Sequence, residues 1–139
     1  MKIAIIGAGF FGLSIASMLE KNKKFNANIE IFDSSDEPFS GASFNNQCRV
    51  HQGFHYPRSF ITREQSKRGY RLFLNAYPKL LNSIALNIYA VPENESLIDF
   101  KTYCSIMDAS KLEWEEVTEC LPLNLNNIEG ALACSEYYI

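Results

Sequence analysis

The apolar and polar positions of the first 33 residues predict a strand, a helix and a second strand. Residues 2–6 form an apolar run that predicts a strand, and it leads directly into the sequence GAGFFG at residues 7–12. Three apolar residues then recur at a spacing of three, which indicates one face of a helix: Leu13, Ala16 and Leu19. A second apolar run, residues 29–32, predicts the next strand and ends at Asp33.

The glycines after the first strand meet the physical needs of a phosphate-binding turn. Gly7 allows a tight reversal, Gly9 lets backbone N–H groups approach a pyrophosphate, and Gly12 lets the helix pack closely on the sheet. The helix also directs its positive N-terminal end at the phosphates. Asp33 follows Gly7 by 26 positions, near the place of a ribose-binding carboxylate. The pattern therefore predicts a dinucleotide-binding βαβ unit, with Asp33 unfavourable to the 2′-phosphate of NADP.

A stretch without regular periodicity, residues 39–59, separates this unit from the next predicted helix. Loops of that length inside a compact domain are usually functional. Thr62 and Gln65 form a candidate capping box for the helix, and Pro78 is expected to kink or restart it. The residues expected on its buried face are Gly69, Phe73, Ala76, Tyr77 and Leu80.

The second half of the chain predicts shorter elements of both kinds. Residues 84–91 alternate as a strand does, and Ser96 with Asp99 can cap a further helix. Two more strands are predicted, at residues 112–121 and residues 130–135.

The predicted fold is α/β, with two parts. Residues 1–82 form a Rossmann-like βαβ portion, whose parallel sheet is incomplete because no further βα crossover follows Asp33. Residues 83–139 form part of an α+β domain. We place the boundary near Leu81 to Ile84.

Composition limits the classes of protein that need to be considered. Apolar residues make up 47% of the 139 residues, which is enough for a core, and the net charge of −3 argues against a nucleic-acid partner. Residues 49–71 nevertheless carry a local charge of +5, whereas residues 93–136 carry −8. The basic stretch suits an anionic cofactor or substrate, although Arg63, Lys67 and Arg68 fit a solvated helix face equally well.

Cysteine spacing and hydropathy indicate where the chain works. The four cysteines lie far apart without a CxxC pair, so neither a metal site nor a disulfide framework is expected. Reduced cysteines of this kind indicate a cytoplasmic location. Residues 3–19 are uncharged and look like a secretory signal or membrane anchor. Three glycines would weaken such a helix, and the run is shorter than a membrane span. No transmembrane segment is therefore expected.

Four segments resemble the D-amino-acid-oxidase-like superfamily of FAD-dependent oxidoreductases. They are GAGFFGLSIASML with Asp33, the loop GASFNNQCRVHQGFHYPRS with its H-x-G element His51 to Gly53, IYAVPENESLIDF, and GAL at residues 130–132. The resemblance covers essentially the whole chain and implies FAD as the cofactor. It also implies a small-molecule substrate whose C–H bond, beside an amine or hydroxyl, gives a hydride to flavin N5.

The resemblance assigns cofactor contacts position by position. The residues that it places around the pyrophosphate are Gly7, Ala8, Gly9, Phe11 and Gly12. Asp33 would bind the adenosine ribose, with Ser34 and Ser35 beside it. Ala42 and Ser43 would approach the pyrophosphate from the loop. The residues that would pass beside the isoalloxazine ring are Asn46, Arg49, Val50, His51 and Gly53.

Arg49, His51 and His55 are the candidate catalytic residues. A positive group near flavin N1 stabilises the anionic reduced flavin, and Arg49 is the candidate for it. His51 or His55 could act as a base because imidazole titrates near neutral pH, and either could instead brace the loop. Some relatives attach their flavin covalently through a histidine, but non-covalent contact is favoured for His51.

The superfamily's members are several hundred residues long and return to the FAD domain after the substrate domain. We therefore expect this chain to be a fragment that binds FAD weakly and is inactive alone, with a complementary C-terminal half as a candidate partner. Two alternatives stay open at this point. One is an NAD-binding module of a dehydrogenase, and the other is a non-catalytic remnant, or half of a split flavoprotein, that acts by interaction.

Overall fold

The computed structural model describes residues 1–24, 26–118 and 126–139. The chain forms two compact units, which divide between Cys48 and Arg49. The boundary expected between residues 82 and 83 separates the predicted FAD-binding portion from the predicted substrate-domain portion. It is defined by function and stays a prediction. None of the helices in the described ranges has the length and apolar character needed to cross a bilayer.

The first unit, Met1–Cys48, is a strand–helix–strand arrangement. Strands β1 (Lys2–Ile6) and β2 (Asn28–Phe32) pair in parallel, and helix α1 (Phe10–Lys21) connects them. Ile6 lies opposite Phe32 at the end of the pairing, so the two strands reach the same edge of the sheet. The predicted Rossmann-like βαβ unit with an incomplete parallel sheet is confirmed.

Helix α1 packs on both strands with the face that its periodicity predicts. The half-buried residues of that face are Leu13, Ala16 and Leu19, whereas Ile15 and Met18 are exposed. No residue described between positions 1 and 48 is fully buried. Two strands and one helix offer too little surface to enclose a side chain completely.

The second unit, Arg49–Ile139, contains two three-stranded antiparallel sheets. In the first, β8 (Tyr137–Tyr138) lies between β3 (Arg49–Val50) and β4 (Asn82–Ser83). In the second, β7 (Ile128–Cys134) lies between β5 (Asn87–Pro92) and β6 (Glu115–Glu116). The helices are α2 (Phe60–Ala76), α3 (Phe100–Ala109) and a single 3₁₀ turn, Pro78–Leu80.

The core of the second unit lies where α3 packs against β7. Its buried residues are Phe54, Val91, Tyr103, Met107, Leu112 and Leu132. Gly130 permits the close approach, because a Cβ atom there would come within 2.2 Å of the Phe100 ring. The hydroxyl of Tyr103 donates to the Phe54 carbonyl at 3.0 Å, which satisfies the polar end of a buried ring.

Helix α2 begins earlier than the sequence predicted. Its N-cap is Ser59, whose hydroxyl oxygen accepts from the Thr62 amide at 3.3 Å. The predicted capping box at Thr62 and Gln65 is therefore wrong, because the preceding serine takes the cap position one turn earlier.

The predicted buried face of α2 is also wrong. Of its five expected residues only Phe73 is half-buried, and Gly69, Ala76, Tyr77 and Leu80 are exposed. The buried residue is Arg63, with 6% exposure. Its guanidinium donates to the Ser110 hydroxyl at 2.7 Å and to the carbonyls of Tyr56 and Pro57 at 3.1 and 2.8 Å. These bonds satisfy the charge inside the fold, so the solvated-face interpretation fails for Arg63.

The later strands depart from their predicted bounds. The strand expected at residues 84–91 corresponds to β5, which begins later, at Asn87, and ends at Pro92. Strand β4 lies just before the expected range and belongs to the other sheet. Within the strand expected at residues 112–121, the structure shows only Glu115–Glu116 as strand, and residues 119–121 lie outside the described ranges. Asp99 caps α3, as its carboxylate accepts from the Thr102 amide at 2.6 Å.

Candidate functional site

The glycine turn, residues 7–12, joins β1 to α1 in a conformation that only glycine adopts easily. Gly7 has a φ of +106°, and its amide donates to the Phe32 carbonyl at 2.7 Å. A Cβ atom at Gly12 would lie 1.9 Å from the Gly7 carbonyl oxygen and 3.4 Å from Ile5. The turn therefore reverses the chain and brings the start of α1 directly against the sheet.

The N-terminus of α1 has the features of an anion-binding site. Gly9 is the N-cap residue and offers no side-chain cap. The hydroxyl of Ser43 accepts from the Phe10 amide at 3.0 Å, and a Cβ atom at Gly9 would lie 3.0 Å from that hydroxyl. The first amides of a helix have no acceptor within the helix, and together with the helix dipole they attract phosphate groups. Ser43 is thus located beside the predicted pyrophosphate position.

Asp33 lies at the tip of β2, against the glycine turn. One carboxylate oxygen accepts from the Ala8 amide at 2.6 Å and the other from the Ser35 amide at 2.9 Å. These hydrogen bonds lower the pKa of Asp33, so it is ionised at neutral pH. A surface cavity of about 230 Å³ opens at this edge, lined by Ile6, Gly7, Phe32, Asp33 and Ser34.

Asn46 organises the loop that carries Ala42 and Ser43. Its side-chain amide donates to the carbonyls of Ala42 and Ser43 at 2.8 and 3.1 Å, and its oxygen accepts from the Cys48 amide at 2.6 Å. The Phe39 amide also donates to the Ala8 carbonyl at 3.0 Å, which ties the loop to the glycine turn. The sequence predicted Asn46 as a cofactor contact, and in the structure its amide braces the loop.

A buried carboxylate, Glu136, organises the candidate residues of the second unit. We call its group the Glu136 network: Arg49, His51, Gln52, Asn87, Tyr89 and Glu136. The Glu136 side chain has 0% exposure. Its Oε1 accepts from the Gln52 amide at 2.7 Å. Its Oε2 accepts from Arg49 at 2.8 Å, Tyr89 at 2.9 Å and Asn87 at 3.1 Å.

The network keeps Glu136 ionised and Tyr89 protonated. Burial alone would raise the pKa of Glu136, but the nearby imidazole of His51 and the hydrogen bonds from Gln52, Tyr89 and Arg49 outweigh it and lower the pKa to about 2. Burial and the charge of Glu136 raise the pKa of Tyr89 well above its ordinary value. At neutral pH the carboxylate is therefore an acceptor only, and the phenol keeps its hydrogen.

His51 lies at the accessible side of the network, with 29% of its side chain exposed. Its Nδ1 is 3.4 Å from the Tyr89 hydroxyl oxygen and 3.7 Å from Glu136 Oε2. The His55 ring lies nearby, with 5.7 Å between the ring centroids. The structure thus brings the three candidate catalytic residues, Arg49, His51 and His55, into one neighbourhood.

Val50 and Gly53 have packing roles in the structure. Val50 is buried with 8% exposure. Gly53 has a φ of +115°, and a Cβ atom there would lie 3.0 Å from Arg63 Cγ. Their predicted contacts with a flavin remain predictions.

Part of the basic stretch forms a separate feature on α2. Lys67 donates to Glu64 at 2.8 Å and to the Ser110 carbonyl at 2.6 Å. A shallow surface cavity of about 270 Å³ is lined by Glu64, Lys67, Arg68, Arg71 and Leu72. Arg68 and Arg71 are exposed, as expected for a solvated helix face.

Sequence reasoning missed Asn87, Tyr89 and Glu136. Asn87 and Tyr89 are two residues apart on β5, so a strand places both side chains on one face. The alternation of residues along this strand could therefore have indicated that the two polar side chains lie together. Glu136 offered only its position as a lone acid within the apolar run ALACSEYYI.

A parallel βαβ unit with a glycine turn, a close helix N-terminus and an acidic tip on the second strand defines a dinucleotide-binding protein. The sequence profile of the family described as FAD dependent oxidoreductase matches residues 2–138. The chain belongs to this family, and the cofactor of the family is FAD. The residues of the glycine turn fit that group, because Gly7 reverses the chain, Gly9 puts no side chain at the N-terminus of α1, and Gly12 lets the helix start close to the sheet.

Three fungal proteins are similar to the chain. It is 37% identical over 136 residues, 96% of its length, to the FAD-dependent monooxygenase FPY4 of Fusarium mangiferae. It is 33% identical over 97 residues, 70% of its length, to the FAD-dependent monooxygenase kojA of Aspergillus flavus, and equally to the probable FAD-dependent monooxygenase kojA of Aspergillus oryzae. The chain spans 35% of FPY4 and 22% of each kojA protein. No solved structure gives a significant match.

Proposed function

We propose that this chain supplies the FAD-binding part of a flavin-dependent oxidoreductase. When bound, FAD would accept a hydride at N5 from a substrate C–H bond beside an amine or a hydroxyl group. The observation that carries the proposal is the glycine turn closed against the ionised Asp33, on a chain of the FAD-dependent oxidoreductase family.

The glycine turn would hold the adenosine diphosphate portion of FAD. Its members in contact with the pyrophosphate would be Gly7, Ala8, Gly9, Phe11 and Gly12, with Ala42 and Ser43 approaching from the loop. The contact of Ser43 with the Phe10 amide supports this placement. Asp33 would bind the ribose hydroxyls, with Ser34 and Ser35 beside them, because its carboxylate lies at the cavity between the strand tips.

Arg49 and His51 would act at the reacting end of the flavin. Arg49 would stabilise negative charge near N1, although its ion pair with Glu136 offsets part of its own charge. Its buried Nε has no acceptor among the described residues, as expected of a donor that a ligand completes. His51, or His55 beside it, would take the proton that the substrate amine or hydroxyl loses. The run Asn46 to Gly53 would line the ring.

The names of the relatives favour monooxygenation as a second candidate activity. FPY4 and both kojA proteins are named FAD-dependent monooxygenases. In that chemistry molecular oxygen is the second substrate, and one of its atoms enters the product. To separate this activity from simple dehydrogenation, oxygen consumption by a full-length relative would be measured together with the water or hydrogen peroxide that the reaction forms.

The chain by itself should bind FAD weakly and turn over neither an amine nor a 2-hydroxy acid. It spans only 35% of FPY4, so groups that the rest of such a protein contributes would be missing. A complementary C-terminal segment is the proposed partner, and a small, anionic substrate would suit the cation at Arg49. The three described cysteines are free, which agrees with the proposed cytoplasmic location.

The test is a titration of the purified chain with FAD, followed by quenching of flavin fluorescence. Asp33→Asn should weaken binding by roughly tenfold, because a charged hydrogen-bond acceptor to the ribose is lost. Asp36→Asn, an exposed acid three residues away, is the matched control and should bind as the parent does. Tighter binding of NAD than of FAD, or equal affinities for the two variants, would refute the proposal. A stoichiometric yellow flavin in the purified chain would refute weak binding alone.

A further inference from the structure

The Tyr89 hydroxyl connects His51 to the buried carboxylate. The oxygen lies 2.9 Å from Glu136 Oε2, 3.1 Å from the Arg49 guanidinium and 3.4 Å from His51 Nδ1. Two of these three neighbours have a fixed role in hydrogen bonding. A guanidinium can only donate, and an ionised carboxylate can only accept. The single hydrogen of Tyr89 therefore points to Glu136.

The direction of the Tyr89 hydrogen bond determines which ring nitrogen of His51 carries a hydrogen. Because Tyr89 has given its hydrogen to Glu136, its oxygen can only accept from His51, and Nδ1 must be the donor. The negative charge of Glu136, 3.7 Å from Nδ1, favours a hydrogen on the same nitrogen. The lone pair of the neutral imidazole is then on Nε2.

The Glu136 carboxylate is itself held in a fixed position, so it can fix the direction of the hydrogen bonds from Tyr89 and His51. Its side chain is fully enclosed, and besides Tyr89 it accepts from the Gln52 amide, Arg49 and Asn87. Four donors on one buried carboxylate fix its orientation as well as its charge. The other imidazole nearby is that of His55, whose ring centroid lies 5.7 Å from that of His51 and 6.1 Å from that of Tyr89. Among the described residues, no hydrogen bond joins His55 to His51 or to Glu136.

We propose that Glu136 and Tyr89 are positioning residues that hold His51 in its Nδ1–H tautomer and present Nε2 as the proton-accepting nitrogen. In the reaction, the N–H or O–H bond of the substrate breaks, its electron pair stays on the heteroatom, and the proton forms a bond with Nε2. The role of His51 as a base rests on the proposed function. The tautomer does not, because it follows from contacts within the second unit alone.

The test uses the 139-residue chain with ¹⁵N-labelled histidine. Long-range ¹H–¹⁵N NMR correlations at pH 8.5, where an ordinary imidazole is neutral, distinguish the two tautomers directly. The chain has two histidines, so a His55→Gln variant assigns the signals of His51. We expect the Nδ1–H form to predominate. A predominant Nε2–H form would overturn the proposal.

Two variants test the cause. Tyr89→Phe removes only the hydroxyl, and the ratio of Nδ1–H to Nε2–H should fall by about fivefold, the factor that one ordinary hydrogen bond supports. Glu136→Gln should lower the ratio as well, and Tyr89→Phe serves alone where that variant does not fold. Tyr138→Phe, on an exposed ring, is the matched control and should leave the ratio unchanged. An unchanged ratio in Tyr89→Phe would refute the assigned role.

The readout also separates this proposal from the proposed function. It involves neither FAD nor turnover, so the tautomer can be present in a chain that fails to bind FAD. Loss of FAD binding would then count against the proposed function alone, and an Nε2–H tautomer would count against the positioning role alone.

Discussion

A Cβ atom built on Gly12 would lie 1.9 Å from the carbonyl oxygen of Gly7. That oxygen belongs to the backbone and cannot rotate away, so any larger residue must push α1 off the strands. At Gly41, by contrast, a Cβ atom meets nothing within 4 Å. The two glycines lie in the same unit and differ in the space around them.

Gly12→Ala should therefore destabilise the first unit by about 1–3 kcal/mol, the usual cost of overpacking. Hydrogen exchange of the β1 and β2 amides measures this loss as faster exchange. Gly41→Ala is the control and should exchange at the parent rate. Equal rates in the two variants would show that α1 does not approach β1 as closely as described.

Helix α2 shows how a charged residue can take the buried place on an amphipathic element. Arg63 is enclosed because it donates to one hydroxyl and two carbonyls, whereas Gly69 is exposed with no atom near its absent Cβ. A glycine within an exposed helix costs stability through the freedom of its backbone in the unfolded chain.

Gly69→Ala should raise the free energy of unfolding by about 0.5–1 kcal/mol. If Gly69 faced the core, as the sequence pattern suggested, the added methyl would instead be destabilising. Gly53→Ala gives the opposite sign for comparison, because its φ is +115° and the Cβ would press on Arg63. Urea denaturation followed by the fluorescence of Trp114, the single tryptophan, measures both.

Local patterns predicted the elements that local interactions form. The βαβ unit follows from periodicity and from glycines within six positions, and the structure has it with β2 starting one residue early. The Glu136 network joins residues that are 38 to 87 positions apart, and no short-range pattern reports such contacts. Arg63 was misjudged because its partners, the Ser110 hydroxyl and two loop carbonyls, are invisible to a polar–apolar pattern.

At the scale of the whole molecule, burial is divided unevenly between the two compact units. Every fully buried residue described, including the six of the core cluster, lies in Arg49–Ile139. Glu136 belongs to that unit, and its lowered pKa couples the stability of the unit to pH.

The sign of this coupling follows from the direction of the shift. The pKa of Glu136 falls from 4.5 to about 2 on folding, so its contribution is fully present above about pH 4.5 and is lost as pH falls through about 2. The loss should be about 3 kcal/mol. Urea denaturation at pH 5, 4, 3 and 2, followed by Trp114 fluorescence, measures it. Glu136→Gln should show a flatter dependence, whereas Glu95→Gln, at an exposed acid, should keep the parent slope.

Because no side chain is enclosed among the described residues of Met1–Cys48, we expect a bound ligand to contribute a large share of the stability of this unit. A nucleotide lying across the glycine turn would add the contacts that the polypeptide does not make, and its binding energy would become part of the folding energy of the unit. Saturation with ligand at a hundred times its dissociation constant contributes about 2.7 kcal/mol in this way. The coenzyme would then act as a structural component, and its concentration would set how much of the unit is folded.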